Sequence, residues 1–197
     1  MERSKMDFIP IITMKNRDIY DKPNGNKLDL EKIIQEDLKN QERIYVLDLD
    51  GIKRNKPNLC LYQKISYLKK LIVDIGPREM GDIVDAVISG VENIVIRKER
   101  WKNFDISAIK KVTENNILQK IDLDKPVYSD QPDGYILMEN RKKIEESLKY
   151  RNYVKKISSN KTVYAYEKNP DNIHYWDGLN IDSLIIDLKN KDRFTKK

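Results

Sequence analysis

The sequence predicts an α/β protein: a compact (β/α)8, TIM-like barrel of minimal length with one crossover helix missing. Three observations carry this. Short apolar runs alternate with helical patterns along almost the whole chain, as parallel strands joined by crossovers do. Several of those runs end in an acidic residue, and α/β barrels and doubly wound sheets assemble their sites at the C-terminal ends of strands. The 197 residues lie near the lower bound of about 200 for a barrel of this kind, so its connections must be short. A doubly wound open sheet is the competing architecture.

The elements follow in order. Phe8–Thr13 reads as a first strand, and Leu30, Ile33, Ile34 and Leu38 form an apolar stripe on a helix. Ile44–Asp48 is the second strand, after which Gly51 turns the chain and Asn58 opens a helix to Leu68 with Leu61, Ile65 and Leu68 inward. Leu71–Asp74 is the third strand. Gly76-Pro77 then turns into an amphipathic helix carrying Met80, Ile83, Val84, Val87 and Ile88, which Gly90 ends. Asn93–Ile96 is the fourth strand, and Asp105 or Ser107 caps a short helix with Ile109 and Val112. Ile117–Leu123 and Tyr135–Met138 are the fifth and sixth strands. Between them the Pro- and Asp-rich loop Asp124–Gly134 leaves no room for a full helix. A long charged helix, Lys142–Ile157, leads to strand seven at Thr162–Tyr166, and a connector over Asp171–Leu179 leads to strand eight at Leu184–Leu188. The chain reads as one domain with tails at residues 1–7 and 189–197.

Composition narrows the class. One cysteine, Cys60, leaves no intrachain disulfide and suits a reducing compartment; within a helix it reads as a small buried hydrophobe. No window approaches a membrane span and no leader pattern is present, so a soluble cytoplasmic protein is expected. Lys and Arg number 38 against 32 Asp and Glu, a net charge of +6, which points to an anionic partner. The lysines are scattered among acids, however, so a solvated surface explains most of them and nucleic acid is not expected as a partner. One His and one Cys cannot build a zinc shell. His174 reads as a packing or surface residue. No Walker A loop, GxGxxG, nucleophile elbow or HExxH occurs, and neither a cofactor nor a resident metal is expected. A magnesium site from Asp48, Asp74 and Asp122 is open on ligand type alone.

In a barrel the strand ends converge on one mouth whatever their distance in sequence. Here they supply Thr13, Asp48, Asp50, Asp74, Arg97, Asp122, Asp124, Glu139, Glu167 and Asp187, a ring of carboxylates with one guanidinium. Convergent acids raise one another's pKa values and can divide general acid and general base roles. The competing role for any one Asp is a helix cap or turn former. Asp48, Asp50 and Asp122 are the candidates for proton transfer. Asp74, Arg78, Arg97 and Thr13 are the candidates for substrate contact, with Arg97 equally suited to neutralising Asp74 or Asp122.

The run Leu47-Asp-Leu-Asp-Gly51 through Asn58-Leu59 resembles the second βα unit of the ProFAR isomerase (HisA) family, the phosphoribosyl-isomerase barrels of histidine biosynthesis. With decreasing clarity, Phe8–Thr13, Leu71–Arg78, Gly90–Ile96 and Ile121-Asp122 are similar to its first, third, fourth and fifth strand regions. The resemblance implies a (β/α)8 barrel built from two similar half-barrels. A faint echo between Ser89–Ile96 and Asp177–Ile186 points the same way. It also implies an Amadori isomerase with an acid on strand one and another, matched by Asp122, on strand five. The departures are as informative. Thr13 stands at the first-strand acid, and threonine cannot transfer protons at neutral pH. Asp74-Ile75-Gly76 replaces a triple-glycine turn, Arg97-Lys98-Glu99 replaces a phosphate loop, and Glu167–Pro170 replaces a Gly-Gly turn. The backbone NH nests for two phosphates are largely gone. The chain thus resembles a diverged, archaeal-type paralogue. The implied expectation is an ancestral isomerase activity lost or changed, with a small phosphorylated or anionic metabolite as partner and Arg78 and Arg97 as anion contacts. A non-catalytic barrel scaffold or interaction subunit is the alternative.

Overall fold

The computed structural model describes residues 6–126 and 131–195. Eight parallel strands close into a barrel: β1 (Asp7–Lys15), β2 (Arg43–Asp48), β3 (Lys70–Asp74), β4 (Asn93–Ile96), β5 (Asn116–Lys120), β6 (Gly134–Leu137), β7 (Thr162–Glu167) and β8 (Ser183–Asp187). Each pairs with its neighbours in chain order, and β8 returns to β1 with Asp7 opposite Ser183 and Ile11 opposite Asp187. Closure decides between the two architectures that the sequence left open.

Nearly continuous apolar runs make these strands because a barrel wall is buried on both faces. Every strand sends at least one side chain to the axis: Ile9 and Ile11, Tyr45, Ile72, Val95, Leu118, Ile136, Tyr164 and Ile185 form one buried interior cluster. The alternate residues face the helices in two outer clusters. One joins β1–β5 to the helices of the first half, and the other joins β6–β8 to those of the second. With Tyr45 and Tyr164 among the fillers, the interior is packed core and not a channel.

The helices are α1 (Leu30–Lys32, running on as a π-turn over Ile33–Asp37), α2 (Leu49–Arg54), α3 (Leu59–Ser66), α4 (Met80–Ile88), α5 (Ile106–Lys110), α6 (Arg141–Glu145), α7 (Leu148–Ser158), α8 (Ile173–Asp177) and α9 (Lys191–Thr195). Asp29, Asp48, Asp105, Asn140 and Ser147 cap their helices by accepting from backbone N–H groups. The β5–β6 connection has no helix among its described residues, as expected. Residues 127–130 of that expected loop lie outside the described residues.

Several expectations are corrected. Gly51 does not turn the chain; it sits inside α2, which Asp48 caps directly. A Cβ on Gly51 would lie 2.8 Å from the Ile75 carbonyl oxygen, so the close approach of α2 to the β3 end needs glycine there. The single helix over Lys142–Ile157 is two, because the Ser147 hydroxyl accepts from the Tyr150 N–H and starts α7 afresh. Strand five stops at Lys120, three residues early. Leu68, Ile88 and Val112 are exposed: Leu68 and Val112 lie beyond the last turns of α3 and α5, and Ile88 is the last residue of α4. The expected tails are folded where described. Asp7 pairs in β1, and residues 191–195 form α9, whose Phe194 is buried against Phe8 with ring centroids 5.4 Å apart. An unforeseen ribbon, Asp18–Tyr20 and Lys27–Leu28, extends β1 antiparallel beyond the barrel rim. Among the described residues no helix is long and apolar enough to cross a membrane.

Candidate functional site

Two neighbouring strands end in aspartate, but the two side chains leave the wall on opposite sides. Leu47 is opposite Asp74 in the β2–β3 register, so both face the axis, whereas Asp48 follows Ile44 and Val46 toward the helices. The parity of each strand therefore decides each acid's role.

On the axis, Asp74 is fully buried. Arg97, from the end of β4, donates to both its oxygens, Nε to Oδ1 and Nη2 to Oδ2, each at 2.7 Å. The Tyr45 hydroxyl donates to Oδ2 at 3.0 Å from below. The Arg97 side chain is only 12% exposed, and its Nη1 also reaches Glu99 at 3.2 Å. Burial opposes its charge, but the Asp74 hydrogen bonds and charge outweigh that and hold its pKa above the ordinary value. Burial, then the Asp74 charge, pushes Tyr45 well above the ordinary tyrosine range. Of the two roles open to Arg97, neutralising Asp74 is the one the geometry displays. Thr13 is also fully buried, and its hydroxyl finds no hydrogen-bond partner among the described residues. Across the mouth, Tyr166 donates to Asp187 at 2.6 Å.

On the helix side, Asp48 is a structural hub. Its Oδ1 accepts from the Asp50 and Gly51 N–H groups and from Asn58 Nδ2, and its Oδ2 accepts from the Asn58 N–H and the Tyr62 hydroxyl. Asn58, placed to cap α3, instead spends its amide on Asp48 and on Asp50 at 3.1 Å, leaving α3 without a side-chain cap. Asp50 is buried in α2 and takes hydrogen bonds from the Arg17 N–H, Asn58 and Arg54. Burial raises its pKa, but donation from Asn16, Arg54, Asn58 and Arg17 together hold it below its ordinary value. Mutual raising of convergent acids is thus not what this site displays: the shifted carboxyls Asp50, Glu99 and Asp124 all lie low.

The remaining expected residues disperse. Asp122 is exposed and accepts from the Asp124 N–H, a turn-forming contact. Asp124 meets Lys143 and Tyr150. Glu167 accepts from two backbone N–H groups and from Trp176 Nε1, and Glu139 lies 3.5 Å from Lys143. Arg78 donates to the Ile52 carbonyl oxygen, closing the end of α2. Asp48 and Asp74 cannot share a cation across the wall. Among the described residues no group of three or more His, Cys, Asp and Glu could hold a metal ion. Cys60 is exposed and not a buried hydrophobe, because it lies at the solvent side of the first turn of α3. His174 is exposed on α8.

Beside the mouth, on the same face of the barrel, lies a feature the sequence did not signal. A cleft of about 760 Å3 opens between the turn after β1 and the loop from α2 to α3. Asn16 and Arg17 both take left-handed backbone conformations in that turn, with φ of 53° and 64°, and so present Arg17 over the start of α3. Arg17, Arg54 and Lys56 line the cleft with Asp50 as its one acid, and Pro57, Leu59 and Leu61 add apolar wall. A smaller cleft of about 340 Å3 lies at the ends of β6 and β7 around Tyr166, Arg141 and Lys168.

No protein-family model and no curated protein sequence matches this chain.

Proposed function

We propose that the chain is a diverged HisA-type barrel that no longer carries the Amadori isomerase activity of that family, and whose C-terminal face receives a small anionic or phosphorylated metabolite in the cytoplasm. The anion reading is carried by one observation: Arg17 and Lys56 line an open cleft on that face while their side chains have no acidic partner among the described residues. The loss of isomerisation is supported by the state of the acids. A general base must be accessible and poised near the working pH. Here Asp48 and Asp74 are fully buried and saturated, Asp50 is held low, and Thr13 stands where the resemblance implies a carboxylate.

The purified protein should show no turnover of the ProFAR aminoaldose and should not complement a strain lacking the isomerase; restored growth would refute the loss. Thr13→Asp should not restore turnover, because the Arg97–Asp74 clamp remains. Phosphorylated metabolites should raise the melting temperature at matched ionic strength through binding to the native state, and a set that moves it no more than chloride does would refute the anion reading.

A second reading, a scaffold or interaction subunit, is favoured by Tyr67, Leu68 and Ile88, which are 89%, 63% and 72% exposed; Tyr67 and Ile88 flank a cleft between α3 and α4. Sedimentation tests it: Tyr67→Ser with Ile88→Ser should dissociate an assembly that the wild type forms, and a wild type monomeric at all concentrations counts against it.

A further inference from the structure

We propose that the cleft between the Asn16–Arg17 turn and the start of α3 binds a doubly charged small anion, at a site displaced from the barrel axis. This rests on the reading that the C-terminal face receives an anion, and it specifies where and with what charge.

The cleft holds unmatched charge. Three cationic side chains, Arg17, Arg54 and Lys56, face one carboxylate, Asp50, which leaves two positive charges. Elsewhere several arginines and lysines meet a carboxylate: Arg97 meets Asp74, Arg43 meets Asp7, Arg141 meets Glu145 and Lys110 meets Asp133. The Arg17 and Lys56 side chains have no such partner among the described residues. Like charges brought to one concavity repel, and an anion of equal and opposite charge removes that cost.

The cleft is also built in its local geometry. Asp50, itself held by Asn58 and the Arg17 N–H, anchors Arg54, which also donates to Asn16 Oδ1 at 3.0 Å. Both side-chain hydrogen bonds of Arg54 use Nη2, so its remaining donors stay available on a side chain 53% exposed. The eight-residue helix α3 begins at the cleft without a side-chain cap, because Asn58 is spent on the two aspartates, and an uncapped start adds partial positive charge. A volume of about 760 Å3 exceeds what an oxyanion alone fills and lies within the roughly 300–1,000 Å3 of small-molecule sites. The rest of the ligand therefore rests on Pro57, Leu59 and Leu61.

The charged groups facing the cleft are Arg17 on the turn, Asp50 and Arg54 on α2 and Lys56 on the loop, and the Cys60 thiol on α3 lies beside them. Arginine and lysine side chains stay charged between pH 5 and 7.5, and Asp50 is held below its ordinary 3.8. With Cys60 replaced by serine, any pH dependence of binding in that range belongs to the ligand. This separates the two sources of a double charge. A phosphate monoester gains its second charge near pH 6, whereas both carboxyls of fumarate titrate at or below the ordinary carboxylate range of about 4, so it is largely dianionic at about pH 5.5.

The experiment titrates the full chain carrying Cys60→Ser with glycerol phosphate, fumarate and acetate at fixed ionic strength, by calorimetry at pH 5.5 and 7.5. A second protein adds Arg17→Ala and Lys56→Ala, both exposed side chains whose loss should not lower the melting temperature in plain chloride. A dianion should bind the parent and bind the Arg17→Ala/Lys56→Ala protein at least about tenfold more weakly. Glycerol phosphate weakening at pH 5.5 while fumarate holds marks a phosphoryl site; fumarate binding alone marks a dicarboxylate site; either supports the proposal. Undiminished binding in the double variant places the anion elsewhere on the face, overturning this site while the broader reading stands. Acetate binding as tightly as the dianions overturns the double charge. No binding of any probe by the parent overturns both readings.

Discussion

Arg97→Ala tests the assignment of the barrel mouth to structure. The substitution removes both guanidinium hydrogen bonds from a carboxylate with no exposure, leaving Asp74 only the Tyr45 hydroxyl. Breaking a buried pair from one side costs about 3–5 kcal/mol, because the surviving charge stays buried without compensation. In a chain of this length each kcal/mol moves the melting temperature by about 2–4 °C, so a fall on the order of 10 °C is expected. Urea unfolding at pH 7 should locate the same loss as a lower midpoint at an unchanged m-value. High salt should not mimic it, since buried pairs are little screened. Replacing both partners, Arg97→Met with Asp74→Leu, should recover most of the loss. Any stabilisation that phosphate esters give the wild type should survive in Arg97→Ala. A loss below about 1 kcal/mol, or disappearance of the anion response, would refute the reasoning and return Arg97 to the ligand.

Two further predictions concern the β2–α3 region. The Asp50 carboxyl has a folded pKa depressed below its ordinary 3.8, so its contribution is full above that value and lost as pH falls through the folded value. Asp50→Asn should therefore be less stable than wild type at pH 6, with a gap that narrows as acid unfolding is followed below pH 3.8; a gap constant with pH would refute the shift. Gly51→Ala sets a helix-propensity gain of about 1 kcal/mol against a Cβ placed 2.8 Å from the Ile75 carbonyl oxygen. Because backbone cannot yield as a flexible side chain does, overpacking of about 1–3 kcal/mol should win, and denaturation should show net destabilisation.

The strands were legible because a wall buried on both faces needs runs such as Ile44–Leu47 and Leu71–Val73, each bounded by charge. The same property hid the site. A strand apolar on both faces carries no alternation, so nothing in the sequence tells which parity faces the axis. Asp48 and Asp74 look equivalent at their strand ends, yet one residue of phase makes one a helix cap and the other the partner of Arg97. Asp122 reads as a strand-end acid only if β5 runs to Leu123, and it stops at Lys120. The ribbon after β1 escaped because its turn is Asn16-Arg17 and not an Asn-Gly or Asp-Gly pair. Arg17 and Lys56 then vanished among the other scattered basic residues. Only the tertiary fold brings them together.

These placements bear on what chemistry the barrel can host. A minimal barrel must fill its own interior, and Tyr45 and Tyr164 do so with large side chains whose polar tips need partners at either end. The tip of Tyr45 is satisfied by Asp74, whose charge in turn demands Arg97. Filling the core thus commits the axial acid and the axial base of the mouth to one another. A ligand that displaced Arg97 would have to compensate a buried carboxylate as well as bind, a cost of several kcal/mol that few small molecules recover. The lateral cleft carries the opposite balance: Asp50 is already compensated, two cations are not, and binding there breaks no existing pair. A ligand on this face would therefore bind at least cost off the axis. Proton transfer on this face would fall to a carboxyl other than Asp48, Asp74 and Asp50, because the first two are buried and fully hydrogen-bonded and the third is held low.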